Sequence, residues 1–182
     1  MNSELTLSLL LGVGLSAACG LRVFLPILAL SIGAGTGYVS PSAGFLWIGS
    51  SAALAIIAAA SVFELFAYAV PRMERFLDLV STPAAMVAGT LLTAAALPNV
   101  HPLIGISVPL FVGGSVAGIS QSLISLLRLS APADRQRQLI LAEAAASLFF
   151  SALAILLPAP AGLLVLAYLA VRWRTVREAF AR

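Results

Sequence analysis

The chain contains no lysine, a single cysteine and a single histidine, and only 9% of its residues are charged. One cysteine, Cys19, excludes an intramolecular disulfide and any paired-thiol metal knuckle. One histidine, His101, excludes a site built from several imidazoles. Without lysine, the net charge of +3 comes from a few loop arginines and forms no basic stripe suited to phosphates, so nucleic-acid binding is excluded. No Ser-His-Asp set, phosphate loop, cofactor motif or catalytic carboxylate pair is visible, which argues against an enzyme.

What is abundant is apolar. Hydrophobic residues make up 61% of the 182 positions, with a mean hydropathy of +1.08. A soluble domain carries about a quarter charged residues. So little charge cannot clothe a globule in water, and the composition is that of an all-α, polytopic membrane bundle whose first partner is the lipid bilayer. Met-Asn-Ser-Glu lacks a positive leader region and the apolar run continues past Cys19, which argues against a removed signal peptide. Cys19 itself reads as a packing residue.

Six apolar stretches separate along the chain: about Leu5–Leu30, Gly44–Val70, Thr82–Leu97, Leu103–Leu129, Leu139–Leu157 and Ala161–Val171. Between the second and third, Pro71–Ser81 mixes Arg72, Glu74, Arg75 and Asp78 with apolar residues, a pattern suited to a short helix in the membrane interface. The third and sixth stretches are short for a full crossing, which takes ~20 residues. Either all six cross, or these two are half-crossing re-entrant segments.

Charge sets the expected orientation. With six crossings and both termini cytoplasmic, Arg72, Arg75, Arg128, Arg135, Arg137, Arg172, Arg174, Arg177 and Arg182 all lie inside, and the opposite loops hold no basic residue. The expected location is a bacterial cytoplasmic membrane. Small residues recur at every fourth position in the first stretch (Gly12, Ser16, Gly20) and in the fourth (Gly114, Gly118, Ser122). Such ladders serve close helix packing, within the chain or in a homodimer. They also suggest a single domain, 1–182, of two inverted three-segment repeats, 1–98 and 99–182, some segments broken or re-entrant.

The run Cys19-Gly20-Leu21-Arg22-Val23-Phe24-Leu25-Pro26 resembles the small membrane proteins grouped as domain-of-unknown-function family 4126. That family has Gly-Leu-Arg and a proline in the first span, a late glutamate in the second ahead of Asp-Lys-x-Pro, then an aspartate and a proline opening the third. Gly20, Leu21, Arg22, Pro26, Glu64, Pro71, Asp78 and Pro83 fit this order. Tyr68 and Ala69 replace the Asp-Lys pair, so no role of that pair carries over. The matching residues cover the first half; the second matches in hydropathy. The resemblance implies a membrane fold and no particular activity.

Arg22 carries the most information. A charge inside an apolar span costs a few kcal/mol and must face protein or a wet cavity. It reads as an anion-binding or gating group in a helix loosened by Gly20 and Pro26, or as a clamp on backbone carbonyls. On the six-span topology it sits toward the outer end. Glu64, with Tyr68 one turn on, reads as a proton- or cation-coupled group, or as a hydrogen-bonded residue near the cytoplasmic face. Straight helices would separate Arg22 from Glu64 by roughly 15 Å along the membrane normal, so a direct approach requires a broken one. Glu143 is expected to pair at the interface with Arg135 or Arg137, and His101 to be a solvated turn residue. The expected function is a small secondary transporter or channel-like protein for a small solute or ion, with Gly20, Arg22, Pro26, Glu64, Tyr68 and Asp78 along its pathway. The alternative is a scaffold or lipid-binding protein.

Overall fold

The computed structural model describes the backbone of residues 2–68, 70–98, 100–130, 132 and 135–180, and their side chains except at 2, 71, 72, 74–76, 78, 79, 129, 130, 136, 137 and 172–180. Among these residues the fold is all-helical: α1 (Asn2–Cys19), α2 (Phe24–Gly35), a 3-10 helix (Ala43–Gly49), α3 (Ser51–Tyr68), α4 (Pro71–Ala96), α5 (Pro102–Val108), a π-helical stretch (Pro109–Gly114), α6 (Ser115–Ser130), α7 (Gln136–Leu156) and α8 (Pro158–Phe180). Three helical runs, Ser51–Tyr68, Pro102–Arg128 and Gln138–Leu156, are long and apolar enough to cross a membrane. Their outer faces carry large apolar side chains, Phe66 and Phe111 each 71% exposed.

The first apolar stretch is a hairpin. Pro26 has no N–H to reach the carbonyl of Arg22, and its ring would collide with that carbonyl in a continuous helix. The chain therefore leaves α1 at Cys19 and restarts at Phe24, with Pro26 in the first turn, where a missing N–H costs nothing. The reversal is fixed by what each arm meets on α7. A Cβ at Gly14 would lie 2.8 Å from the Ala154 side chain, the Ser147 hydroxyl donates to the Ala18 carbonyl at 3.1 Å, and Arg22 reaches the Ile140 carbonyl at 3.1 Å. Going back up α2, a Cβ at Gly33 would lie 3.5 Å from Ile155. The arms run in opposite directions, and Arg22 is at the tip.

This hairpin corrects two expectations. Arg22 lies at the end of the molecule where α6 finishes and α7 begins, among the arginine-bearing loops, and not toward the opposite end. Glu4 lies beside Tyr38, Pro98 and Pro158, at the end free of basic loops. The C-terminal part of α8 runs past Tyr168, beside Leu21, toward the arginine-bearing end. The chain therefore starts and finishes at different ends, because α2 adds a pass that hydropathy could not distinguish from α1.

The breaks also differ from those anticipated. The third stretch is continuous with the charged segment before it, as the 26-residue α4, with Pro83 on an exposed face. The fourth stretch absorbs Pro109 in the π turn. A π turn inserts one residue into a helix without ending it. α1 is the innermost helix: its residues 11–16, 18 and 19 are all buried. Small side chains make this possible. A Cβ at Gly12 would lie 3.0 Å from the Thr93 Cα of α4, and the Ser16 hydroxyl donates to the Gly89 carbonyl at 2.9 Å. The second ladder packs on another part of α4, Gly114 against Thr90 and Gly118 against Met86, while Ser122 bonds back to its own Gly118 carbonyl.

Candidate functional site: a buried charge cluster at the hairpin tip

Five side chains from four parts of the chain meet at the tip. Arg22 comes from the α1–α2 break, Glu64 and Tyr68 from the end of α3, Arg128 from the end of α6, and Glu143 from the second turn of α7. All are buried, between 1% exposed at Arg22 and 6% at Arg128.

The break exposes backbone donors that a helix interior would have used. The N–H groups of Gly20, Leu21 and Arg22 turn back to the carbonyls of Ala17 and Ala18. Those of Val23 and Phe24, at the start of α2, have no intrahelical acceptor. Glu64 supplies one from α3, accepting from the Val23 N–H at 2.8 Å and from the Phe24 N–H at 3.1 Å. A carboxylate at a helix N-terminus also meets the positive end of the helix dipole. The Cys19 thiol donates to the Val23 carbonyl at 3.4 Å, a further tie across the break.

Glu143 is shared by two arginines. One of its oxygens accepts from Arg128 Nε at 2.8 Å. The other pairs with the terminal nitrogen of Arg128 and with that of Arg22, the latter at 3.0 Å. The Tyr68 ring lies beneath both cations, 4.0 Å from the Arg22 guanidinium carbon and 4.7 Å from that of Arg128. Such stacking stabilises a desolvated cation by about 2 kcal/mol. Arg22 retains two buried nitrogens, Nε and Nη1, with no hydrogen-bond partner among the described residues.

Of the residues expected along a pathway, Gly20, Arg22, Glu64 and Tyr68 converge here, and Pro26 defines the break. Asp78 belongs to α4, but its side chain lies outside the described residues. Glu143, expected at the interface with Arg135 or Arg137, turns inward to Arg128 and Arg22. Arg128 was grouped with the loop arginines and is instead buried. The signal for both was present, since a carboxylate within an apolar run needs an internal cation, but their closeness to the charged loop masked it. His101 caps α5, its Nδ1 accepting from the Leu103 N–H at 3.4 Å. Among the described residues, no group of three or more His, Cys, Asp or Glu is placed to hold a metal.

Two cavities flank the core. One of about 460 Å³ opens sideways beside the tip, walled by Ala17, Leu21, Leu127, Phe150, Leu164 and Tyr168. The other, about 340 Å³, lies at the far end, with Glu4, Ser8, Tyr38, Ser40, Pro98 and Pro158 in its walls. The helical rise from Glu4 to Cys19 places it roughly 22 Å from the break.

The molecule is thus an all-helical, strongly apolar protein organised around a broken-helix hairpin with a buried charge cluster at its tip. It belongs to the family described as Domain of unknown function (DUF4126), whose model matches residues 9–178, so the relationship extends through the second half of the chain. No curated protein and no solved structure matches it.

Proposed function

We propose that the protein is a multi-pass protein of a cytoplasmic membrane that acts as a small secondary transporter, with the Arg22 hairpin tip as its substrate-gating element. The observation behind this is the hairpin itself: a helix break, buried among apolar helices, whose freed donors are satisfied by a carboxylate from another helix, beside a buried arginine. Charges inside a bilayer are expensive, and discontinuous helices with termini aimed at ionic groups are how many transporters build their sites. On this reading the described conformation is closed at the arginine-bearing end, and the far cavity beside Glu4 and Tyr38 is a vestibule. The loop arginines orient that closed end to the cytoplasm. The two-half organisation, 1–98 and 99–182, belongs to the same proposal.

Purified protein in proteoliposomes tests it. Arg22→Ala and Glu64→Gln are expected to yield folded protein with substrate-dependent flux reduced at least ~100-fold, the scale of losing a buried charge-assisted contact. Wild-type flux from both variants would sink the proposal. A lipid-binding role is the second reading, favoured by the apolar lateral cavity beside Leu21. It predicts that bulky substitution at Ala17 or Leu164 displaces a copurifying lipid while the charge cluster is unaffected.

A further inference from the structure

We infer that the lateral cavity beside the tip holds one acyl chain of an anionic phospholipid, whose head group lies at the arginine-bearing end of α8 and whose chain props the hairpin in its closed position. This rests on the transport reading, in which the tip is the moving part, and adds the lipid that regulates it.

The shape of the cavity suits a hydrocarbon chain. α6 and α8 both pack on α1, and the space between them reaches down to Ala17 and Leu21. Leu123, Leu127, Phe150 and Leu164 complete walls that are almost wholly apolar. Such a space does not hold water. At about 460 Å³ it is of ligand size, and in a bilayer its side opening faces lipid tails. Its position is the second observation. Leu21 and Leu127 in its wall immediately precede Arg22 and Arg128, the two cations that share Glu143. Whatever fills the cavity therefore packs against both segments that carry the charge cluster.

Charge decides which lipid. A chain gains little by leaving the bilayer for an apolar wall, because the surrounding tails are as apolar as leucine. Selectivity must come from the head group. Tyr168 is in the cavity wall, and the sequence places Arg172, Trp173, Arg174 and Arg177 in the next turns of α8, roughly 6–14 Å further along its axis. Tyrosine and tryptophan mark the head-group level of a bilayer, and basic pockets at cytoplasmic helix ends hold anionic head groups. Three arginines near the membrane surface favour an anionic lipid over a zwitterionic one by about 100-fold. The far cavity has Glu4 and no basic residue in its walls, and it matches no such head group.

Dioleoyl phosphatidylglycerol is the probe, dioleoyl phosphatidylcholine its control, and thermal unfolding of the delipidated full-length protein in detergent the first readout. Phosphatidylglycerol is expected to raise the wild-type midpoint by about 3–6 °C more than phosphatidylcholine does, as a ligand selective for the folded state would. Leu164→Trp, at a wall position 58% exposed, should fill the cavity and lose that difference. If it does not accumulate, Leu127→Trp, at 56% exposed, blocks the same space. Arg172→Gln, Arg174→Gln and Arg177→Gln together should make the two lipids equivalent. The second readout is Cys19, two residues before Leu21. Delipidation should speed its maleimide labelling at least ~3-fold, as local opening does, and phosphatidylglycerol should reverse this. Equal midpoint shifts from the two lipids in the wild type, or a full shift in the cavity-filled variants, overturn the site. A selective shift with unchanged Cys19 labelling overturns the prop. A selective, cavity-dependent shift in protein that shows no flux leaves the site standing and removes the transport reading.

Discussion

The two ladder-bearing stretches meet the same problem and solve it differently. Each has small residues at every fourth position, each packs on α4, and each contains a proline that a regular helix cannot accommodate. Around Pro109 the chain widens into a π turn and continues, so its backbone groups are served within the helix. Ahead of Pro26 the chain stops, reverses and leaves two N–H groups to a carboxylate 40 residues or so away. One irregularity is self-contained. The other exists only because side chains from α3, α6 and α7 hold it, and a break held from outside is one that the outside can release.

Substitutions can pull this comparison apart. The largest effect is expected at Glu143, since Glu143→Ala leaves two arginines buried without their shared anion. Removing one partner of a buried ion pair costs about 3–5 kcal/mol, so this variant should unfold far earlier in a detergent melt or fail to accumulate. Replacing the whole set, with Arg22→Met, Arg128→Met and Glu143→Leu together, should recover most of that stability while abolishing flux. Recovery of both would show the charges to be dispensable.

Next come the ladders. A Cβ at Gly20 would run into Ser120 and lie 2.7 Å from the Gln121 nitrogen and 2.8 Å from the Ala117 carbonyl, contacts that are largely backbone. Gly20→Ala is therefore expected to cost about 1–3 kcal/mol or more. At Gly118 the atom in the way is Met86 Cγ at 2.8 Å, part of a flexible side chain, and Gly118→Ala should cost less than ~1 kcal/mol. Equal losses at the two positions would remove the contrast between a tip locked on α6 and a helix that merely rests on α4.

The mildest probe reads the reactivity of one thiol. Cys19 is fully buried at the end of α1, so it should resist maleimide in the wild type. It should become reactive when Glu64→Ala loosens the break, read by mass spectrometry. Equal protection in both would show that Glu64 does not hold the tip closed.

Much of this was legible in the residues. The all-helical class follows from apolar runs too poor in charge for water. Arg22, Glu64 and Tyr68 stand out because a lone polar group in such a run has to be accounted for. The hairpin was not legible, because Leu5–Leu30 is apolar on both sides of Arg22 and a reversal buried in protein needs none of the Gly, Asn or Ser clusters that mark a loop in water. Gly20-Leu21-Arg22 and Pro26 were its only written traces. Arg128 and Glu143 were misplaced for the opposite reason: both lie near a charged loop, and proximity in sequence suggested a wet neighbourhood where the fold supplies a dry one.

A single carboxylate, Glu143, serves one cation from each half of the chain. Such an arrangement has few intermediate settings. If the tip withdraws from α7, Arg22 needs a new counter-charge while Arg128 keeps the old one; if α6 withdraws, the roles exchange. Glu143 thus acts as a common terminal between two arms, and any motion of one arm is registered at the other without the two arginines having to touch.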